Sequence, residues 1–202
     1  MEFGSAVILA GGKSSRMGFD KQFLRRANSY LLHSHGETLS SLFDQVIVVT
    51  NRPEFYADSR FTVVSDEIPG QGPLSGIHVG LKTARSRYVY LLACDMPYIH
   101  LEYVRYMYRR MSLTNAEICV TRLDDRLEPF NAFYARSLVP DIEAYLNQGR
   151  HSLFRFIAEH DTCYIPEEDA RRFSPDWEMF LNLNTRQDLE QWRERGVLRA
   201  EG

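Results

Sequence analysis

The chain has 202 residues, 44% hydrophobic and 25% charged, with a net charge of -3 and an isoelectric point near 6.1. That is enough chain for one sizeable core, and its charge balance excludes the global basic field that drives non-specific nucleic-acid binding. No apolar run approaches the roughly 20 residues of a membrane span, and no signal-peptide pattern opens the chain, so one cytoplasmic domain over residues 1–202, with neither nucleic acid nor membrane as partner, is expected.

Gly4-Ser5 directly before the first strand is compatible with a cloning remnant within residues 1–5. Cys94, Cys119 and Cys163 are odd in number and lack C-x-x-C spacing, so neither a disulfide framework nor a zinc ribbon is indicated, and a reduced compartment fits best.

Ala6-Val7-Ile8-Leu9-Ala10 is a short apolar run of the kind a buried parallel strand shows. It breaks into Gly11-Gly12-Lys13-Ser14-Ser15-Arg16-Met17-Gly18-Phe19-Asp20-Lys21. Glycines there let backbone N–H groups approach an anion closely, and Arg16 and Lys21 add cationic side chains. Two of the chain's three lysines, Lys13 and Lys21, fall in this loop. The spacing excludes a P-loop, since Val7 stands where its first glycine belongs. It also excludes the dinucleotide fingerprint, because the glycines stand at 11, 12 and 18. What remains is a polyphosphate loop of another kind.

Residues 22–35 carry Phe23, Leu24, Ala27, Leu31 and Leu32 at mostly helical spacing, with Gly36 as the stop. His33 and His35 would lie on different faces of that helix, as solvated side chains rather than a metal pair. Val46 to Thr50 reads as the next strand and Phe61 to Ser65 as the third. Asp66 follows, in a loop through Gly70, Gly72, Pro73 and Leu74 to Gly76, with a helix from about Leu74 to Ala84. Tyr88 to Ala93 is the fourth strand and ends in Cys94-Asp95-Met96-Pro97. An acidic residue just past a buried strand either caps the next helix, here Leu101 to Met111, or holds a cation at the sheet edge.

A fifth strand spans Ala116 to Thr121, and Glu128-Pro129 to Tyr134 reads as an edge or antiparallel strand because of its proline. Helices are predicted over 137–147 and from about Gly149 to Glu159, a short strand at Tyr164-Ile165, and a loop over 166–178. Phe180 to Thr185 leads into a last helix, Arg186 to Arg195, capped by Thr185 or Asn184 and ended by Gly196. Alternating strands and helices predict an α/β fold with a mostly parallel sheet covered on both faces. Right-handed crossovers would bring loops 11–21, 66–76 and 94–97 to one edge, where open α/β sheets bind ligands.

With these residues in hand, the chain resembles the molybdenum cofactor guanylyltransferase family, a branch of the nucleotidyltransferases with a Rossmann-like three-layer fold. The resemblance runs through nearly the whole length. It rests on Leu9-Ala10-Gly11-Gly12 through Arg16 and Gly18 to Asp20-Lys21, on Asp66 with Gly72 to Gly76, and on Cys94-Asp95-Met96-Pro97. Glu128-Pro129, Gly149-Arg150-His151-Ser152 and Asn182-Leu183-Asn184-Thr185 complete it. It implies Leu9, Ala10, Gly11, Gly12, Lys21, Asp66, Gly72, Pro73, Leu74 and Gly76 around the nucleotide. It implies Arg16, Lys21 and Asp95 in catalysis, Mg2+ on Asp95, and Asn182 and Asn184 on the pterin side. Gly12, where related cytidylyltransferases usually carry alanine, favours GTP. Relatives usually have a glycine and an apolar segment where this chain has Arg25-Arg26-Ala27-Asn28, which unsettles the first helix.

The implied reaction transfers GMP from GTP to the terminal phosphate of molybdopterin and releases pyrophosphate. Implied partners beyond these substrates are a molybdenum insertase and apo-molybdoenzymes or their chaperones. Neighbouring readings are cytidylyl transfer to molybdopterin, nucleotidyl transfer to a sugar or polyol phosphate, and a non-catalytic nucleotide-sensing module.

Overall fold

The computed structural model describes residues 1–10, 24–26, 29–56, 59–68 and 70–200. β1 (Ser5–Leu9) is followed by a two-stranded antiparallel ribbon, β2 (Arg25–Arg26) with β3 (Ser29–Tyr30), and by α1 (Leu31–Ser40). The predicted helix over 22–35 is therefore displaced: Arg25–Arg26 and Ser29–Tyr30 are ribbon, and the helix begins only at Leu31. Gly36 does not stop α1 but lies buried inside it. It is there for space, since a Cβ at Gly36 would stand 2.2 Å from Cζ of Phe61.

β4 (Gln45–Val49), β5 (Thr62–Val64), α2 (Pro73–Thr83), β6 (Tyr88–Ala93) and α3 (Leu101–Thr114) follow, close to their predicted positions. Then come β7 (Ile118–Leu123), β8 (Arg126–Ala135), α4 (Val139–Asn147), α5 (Leu153–Ala158) and β9 (Thr162–Pro166). α6 (Glu167–Arg171) and α7 (Arg186–Ala200) complete the chain. Three predicted boundaries move. α5 is shorter than the predicted 149–159 because Ser152 caps it, accepting from the backbone N–H of Arg155. The predicted loop over 166–178 contains α6, whose first turn holds Glu167, Glu168 and Asp169, the sign a helix N-terminus favours. α7 continues through Gly196 rather than ending there.

Among the described residues, one seven-stranded sheet has the order β5-β4-β1-β6-β8-β7-β9. β8 alone runs against the rest. β8 is antiparallel as predicted but central, not at an edge. Pro129 is tolerated there because the β7–β8 register shifts between Cys119 and Thr121, and Asn131 in that stretch takes a left-handed φ of 62°. Asn131 is buried and fully used: it accepts from the Tyr90 hydroxyl (2.7 Å) and donates to the Met179 carbonyl (3.3 Å).

α2 covers one face of the sheet, coming so close that a Cβ at Gly80 would stand 2.9 Å from Val7. α3 covers the other, where the Tyr103 hydroxyl meets that of Thr121. Phe3 belongs to the core as well, packed on Tyr88 and Tyr108. A satellite cluster of Leu24, Leu31, Leu183, Leu189 and Trp192 joins the end of the first loop to α7.

Candidate active site

The chain leaves β1 toward β4 and β5 on one side and returns through β6 on the other, so the sheet's topological switch lies at the carboxyl ends of β1 and β6. Backbone hydrogen bonds hold that edge in register. The Ala10 N–H donates to the Val49 carbonyl (2.8 Å), the Cys94 N–H to that of Leu9 (3.0 Å), and the Thr50 N–H to that of Val64 (2.9 Å). Leu9 and Ala10, both buried, are thus fixed at the mouth of the glycine loop. Gly11, Gly12, Arg16 and Lys21 lie outside the described residues.

The second loop reaches the same edge because α2 has no side chain at Gly76. A Cβ there would stand 3.2 Å from Leu9 Cδ2. Gly72, with φ of 77°, precedes Pro73 at the first helical position and carries no side-chain cap. Gly72 and Pro73 are exposed, whereas Leu74 is buried in the core and serves the loop through its backbone. Asp66 spends its carboxylate within the loop: Oδ1 accepts from the Ile68 N–H (2.9 Å) and Oδ2 from the Ser75 hydroxyl (2.7 Å). Its side chain therefore shapes residues 66–76.

Asp95 stands two residues past the end of β6 and is 9% exposed. It does not cap α3, whose N-cap is His100, five positions later and without a side-chain cap bond. The helix-cap explanation for an acidic residue at this point is thereby removed. The Leu183 N–H donates to the Asp95 carbonyl (2.9 Å), which brings Asn182 and Asn184 to the same edge. Asn182 donates to the Phe180 carbonyl (3.1 Å). Neither asparagine caps α7. Thr185 Oγ1 accepts from the Asp188 N–H (3.1 Å), while Asp188 accepts from the N–H groups of Thr185 (2.7 Å) and Asn184 (2.9 Å).

No group of three or more His, Cys, Asp or Glu suited to holding a metal occurs among the described residues. A carboxylate at the sheet's carboxyl edge fits a magnesium ion, which takes one or two carboxylates and completes its shell with phosphate oxygens and water.

Two residues near this edge were missed as contributors. His35 was expected to be solvated, but the displaced helix buries it on the stripe of Leu31, Leu32 and Leu39. It hydrogen-bonds the backbone of Met96, the residue after Asp95, and burial pulls its imidazole down to about 4 despite that bond. The i, i+4, i+8 spacing of Leu31, His35 and Leu39 was the available signal. Glu128, quoted only as part of a motif, is half-buried on β8, and desolvation raises its carboxyl to about 7 against the opposing charge of Arg126. Arg150, from another quoted motif, is structural: it pairs with Glu159 and lies over the Tyr145 ring.

The carboxyl end of β1, the α2 amino terminus and the Asp95 turn meet at one sheet edge, and residues 6–163 match the MobA-like NTP transferase domain. The chain belongs to that family. A protein of Syntrophotalea carbinolica named molybdenum cofactor guanylyltransferase is 63% identical over 196 residues, covering 97% of this chain and 93% of that protein. A relative from Peptoclostridium acidaminophilum is 46% identical over 94% of this chain and 88% of its own length. Among solved structures, molybdopterin-guanine dinucleotide biosynthesis protein A from Archaeoglobus fulgidus superposes with a TM-score of 0.84 at 23% identity. That match covers 96% of this chain and 98% of that one. The fold thus extends to family members of quite different sequence.

Proposed function

We infer that this MobA-like transferase moves GMP from GTP to the terminal phosphate of molybdopterin and releases pyrophosphate. The observation that carries the reading is the position of Asp95: a nearly buried carboxylate at the sheet's switch point, five residues before the N-cap of α3, with the Asn182–Asn184 segment fastened to its own carbonyl. The name of the 63%-identical relative supports the choice of substrates.

The acceptor phosphate is a monoester with a second pKa of about 6 and is mostly ionised at neutral pH, so the reaction requires no general base. The remaining work is to hold two repelling anions in line and to offset the charge that builds on the α-phosphate and the leaving pyrophosphate. Divalent-metal dependence is expected of the family; magnesium held by Asp95 would supply Lewis-acid neutralisation there. Arg16, Lys21 and the amides of Gly11 and Gly12 are assigned the rest of that charge. Asp66 keeps residues 66–76 in shape beside the base, and Asn182 and Asn184 offer neutral amides to the pterin without adding negative charge.

Pyrophosphate release measured with molybdopterin and each of GTP, CTP, ATP and UTP tests the assignment. GTP is expected to turn over at least tenfold faster than the others, a preference of about 1.4 kcal/mol in the transition state. Turnover with CTP alone would overturn the guanylyl reading and leave the transferase reading intact.

A further inference from the structure

The three cysteines share no short spacing, yet the fold brings two of them together across 44 positions. Cys119 on β7 and Cys163 on β9 are direct partners in the parallel ladder, so both side chains leave the same face of the sheet. Neighbouring strands lie about 4.8 Å apart, inside the Cα separation of about 4.4–6.8 Å that a disulfide bridges. Cys119 is fully buried, and it reaches toward the Met107 carbonyl of α3 (3.9 Å). Cys163 is 7% exposed on the edge strand of the sheet.

The charges around the pair divide its roles. The Cys119 hydrogen bond, assisted by Arg110 and Thr114 of α3, pulls the Cys163 thiol down to about 6 against the opposing effect of burial. Cys119 is pushed up by the same hydrogen bond and by burial. Cys163 is thus biased toward the thiolate and Cys119 toward the protonated thiol, the combination thiol oxidation uses. Arg110 is itself held in place by Asp169 (3.2 Å).

We propose that Cys119 and Cys163, in register on adjacent parallel strands, form a reversible dithiol–disulfide site for hydroperoxide-class oxidants, separate from the nucleotide edge. The Cys163 thiolate attacks the O–O bond of hydrogen peroxide; an S–O bond forms, O–O breaks, and the departing hydroxide is protonated to water. Cys119 sulfur then displaces the sulfenic oxygen. The S–S bond forms, S–O breaks, and the oxygen leaves as a second water carrying the Cys119 proton. Two thiols and one peroxide give one disulfide and two waters, and a thiol reductant reverses the change.

The test is treatment of the native chain with hydrogen peroxide, followed by alkylation of the remaining thiols, intact mass and peptide mapping. The expected product retains one of its three thiols, is lighter by two hydrogens, carries a Cys119–Cys163 crosslink, and recovers all three thiols in dithiothreitol. Cys119→Ser should stop at a Cys163 sulfenic acid that dimedone traps, and Cys163→Ser should leave Cys119 unmodified. Three surviving thiols, a disulfide involving Cys94, or a wild-type Cys163 carried to sulfinic acid without a crosslink would each overturn the proposal. The wild-type result decides the matter even if a variant fails to fold.

Discussion

Asp95→Asn should slow pyrophosphate release from GTP and molybdopterin by about a thousandfold while leaving the melting temperature unchanged. The size follows from the reaction. With an anionic nucleophile and no proton to move, most of the barrier is electrostatic, and removing one preorganised charge-stabilising group typically costs about a hundredfold to a thousandfold. Stability is spared because the amide has the carboxylate's shape and the substitution retains the carbonyl that accepts from Leu183. Since Asp95 does not cap α3, no helix end is lost. GTP affinity measured without metal should change little, because the proposed role of Asp95 is to hold the cation. Turnover within tenfold of wild type would remove Asp95 from the chemistry.

Acid should weaken the fold through His35 before it protonates most carboxylates. The folded chain holds the imidazole neutral down to about pH 4, whereas an unfolded chain takes up the proton near 6.5. Between those values the unfolded state binds more protons, so the stability tied to neutral His35 is complete above pH 6.5 and is lost as pH falls toward 4. The difference corresponds to about 3 kcal/mol, a large share of a domain's stability. Urea midpoints at pH 7.5, 6.0 and 5.0 check it. His35→Met should lose about 1 kcal/mol at pH 7.5, through the missing bond to Met96, and should show a flatter pH dependence than wild type. Equal slopes in the two proteins would show that His35 does not titrate in this way. Because the imidazole supports Met96, activity at pH 5 should fall together with stability.

Much of this was legible in the sequence, and the exceptions have physical causes. The parallel strands were readable because each is a short, nearly continuous apolar run; β1, β4 and β6 are buried on both faces and have no alternation to misread. The meeting of the Asp66 loop and Asp95 at one edge followed from strand–helix alternation alone. α1 was misplaced because periodicity treats glycine as a stop, and nothing local reveals that Phe61 needs the space over Gly36. The same error concealed His35. Pro129 argued for an edge strand, and only the register shift with left-handed Asn131 explains how a central strand carries it. Asp66 was assigned to the nucleotide from resemblance, while its two oxygens serve Ile68 and Ser75; that distinction lies in geometry that sequence does not encode. The pairing of Cys119 with Cys163 depends on the β7–β9 register, which spacing could not supply.

The central claim is that nucleotidyl transfer takes place where β1 and β6 end, with the cation on Asp95. A crystal of the protein grown with GTP and manganese in place of magnesium tests it directly through the anomalous signal of the metal. The account predicts manganese held by the Asp95 carboxylate at the nucleotide. Manganese seated instead in the acidic groove of about 950 Å³ lined by Asp124, Asp125, Glu167 and Glu168, with none at Asp95, would contradict it.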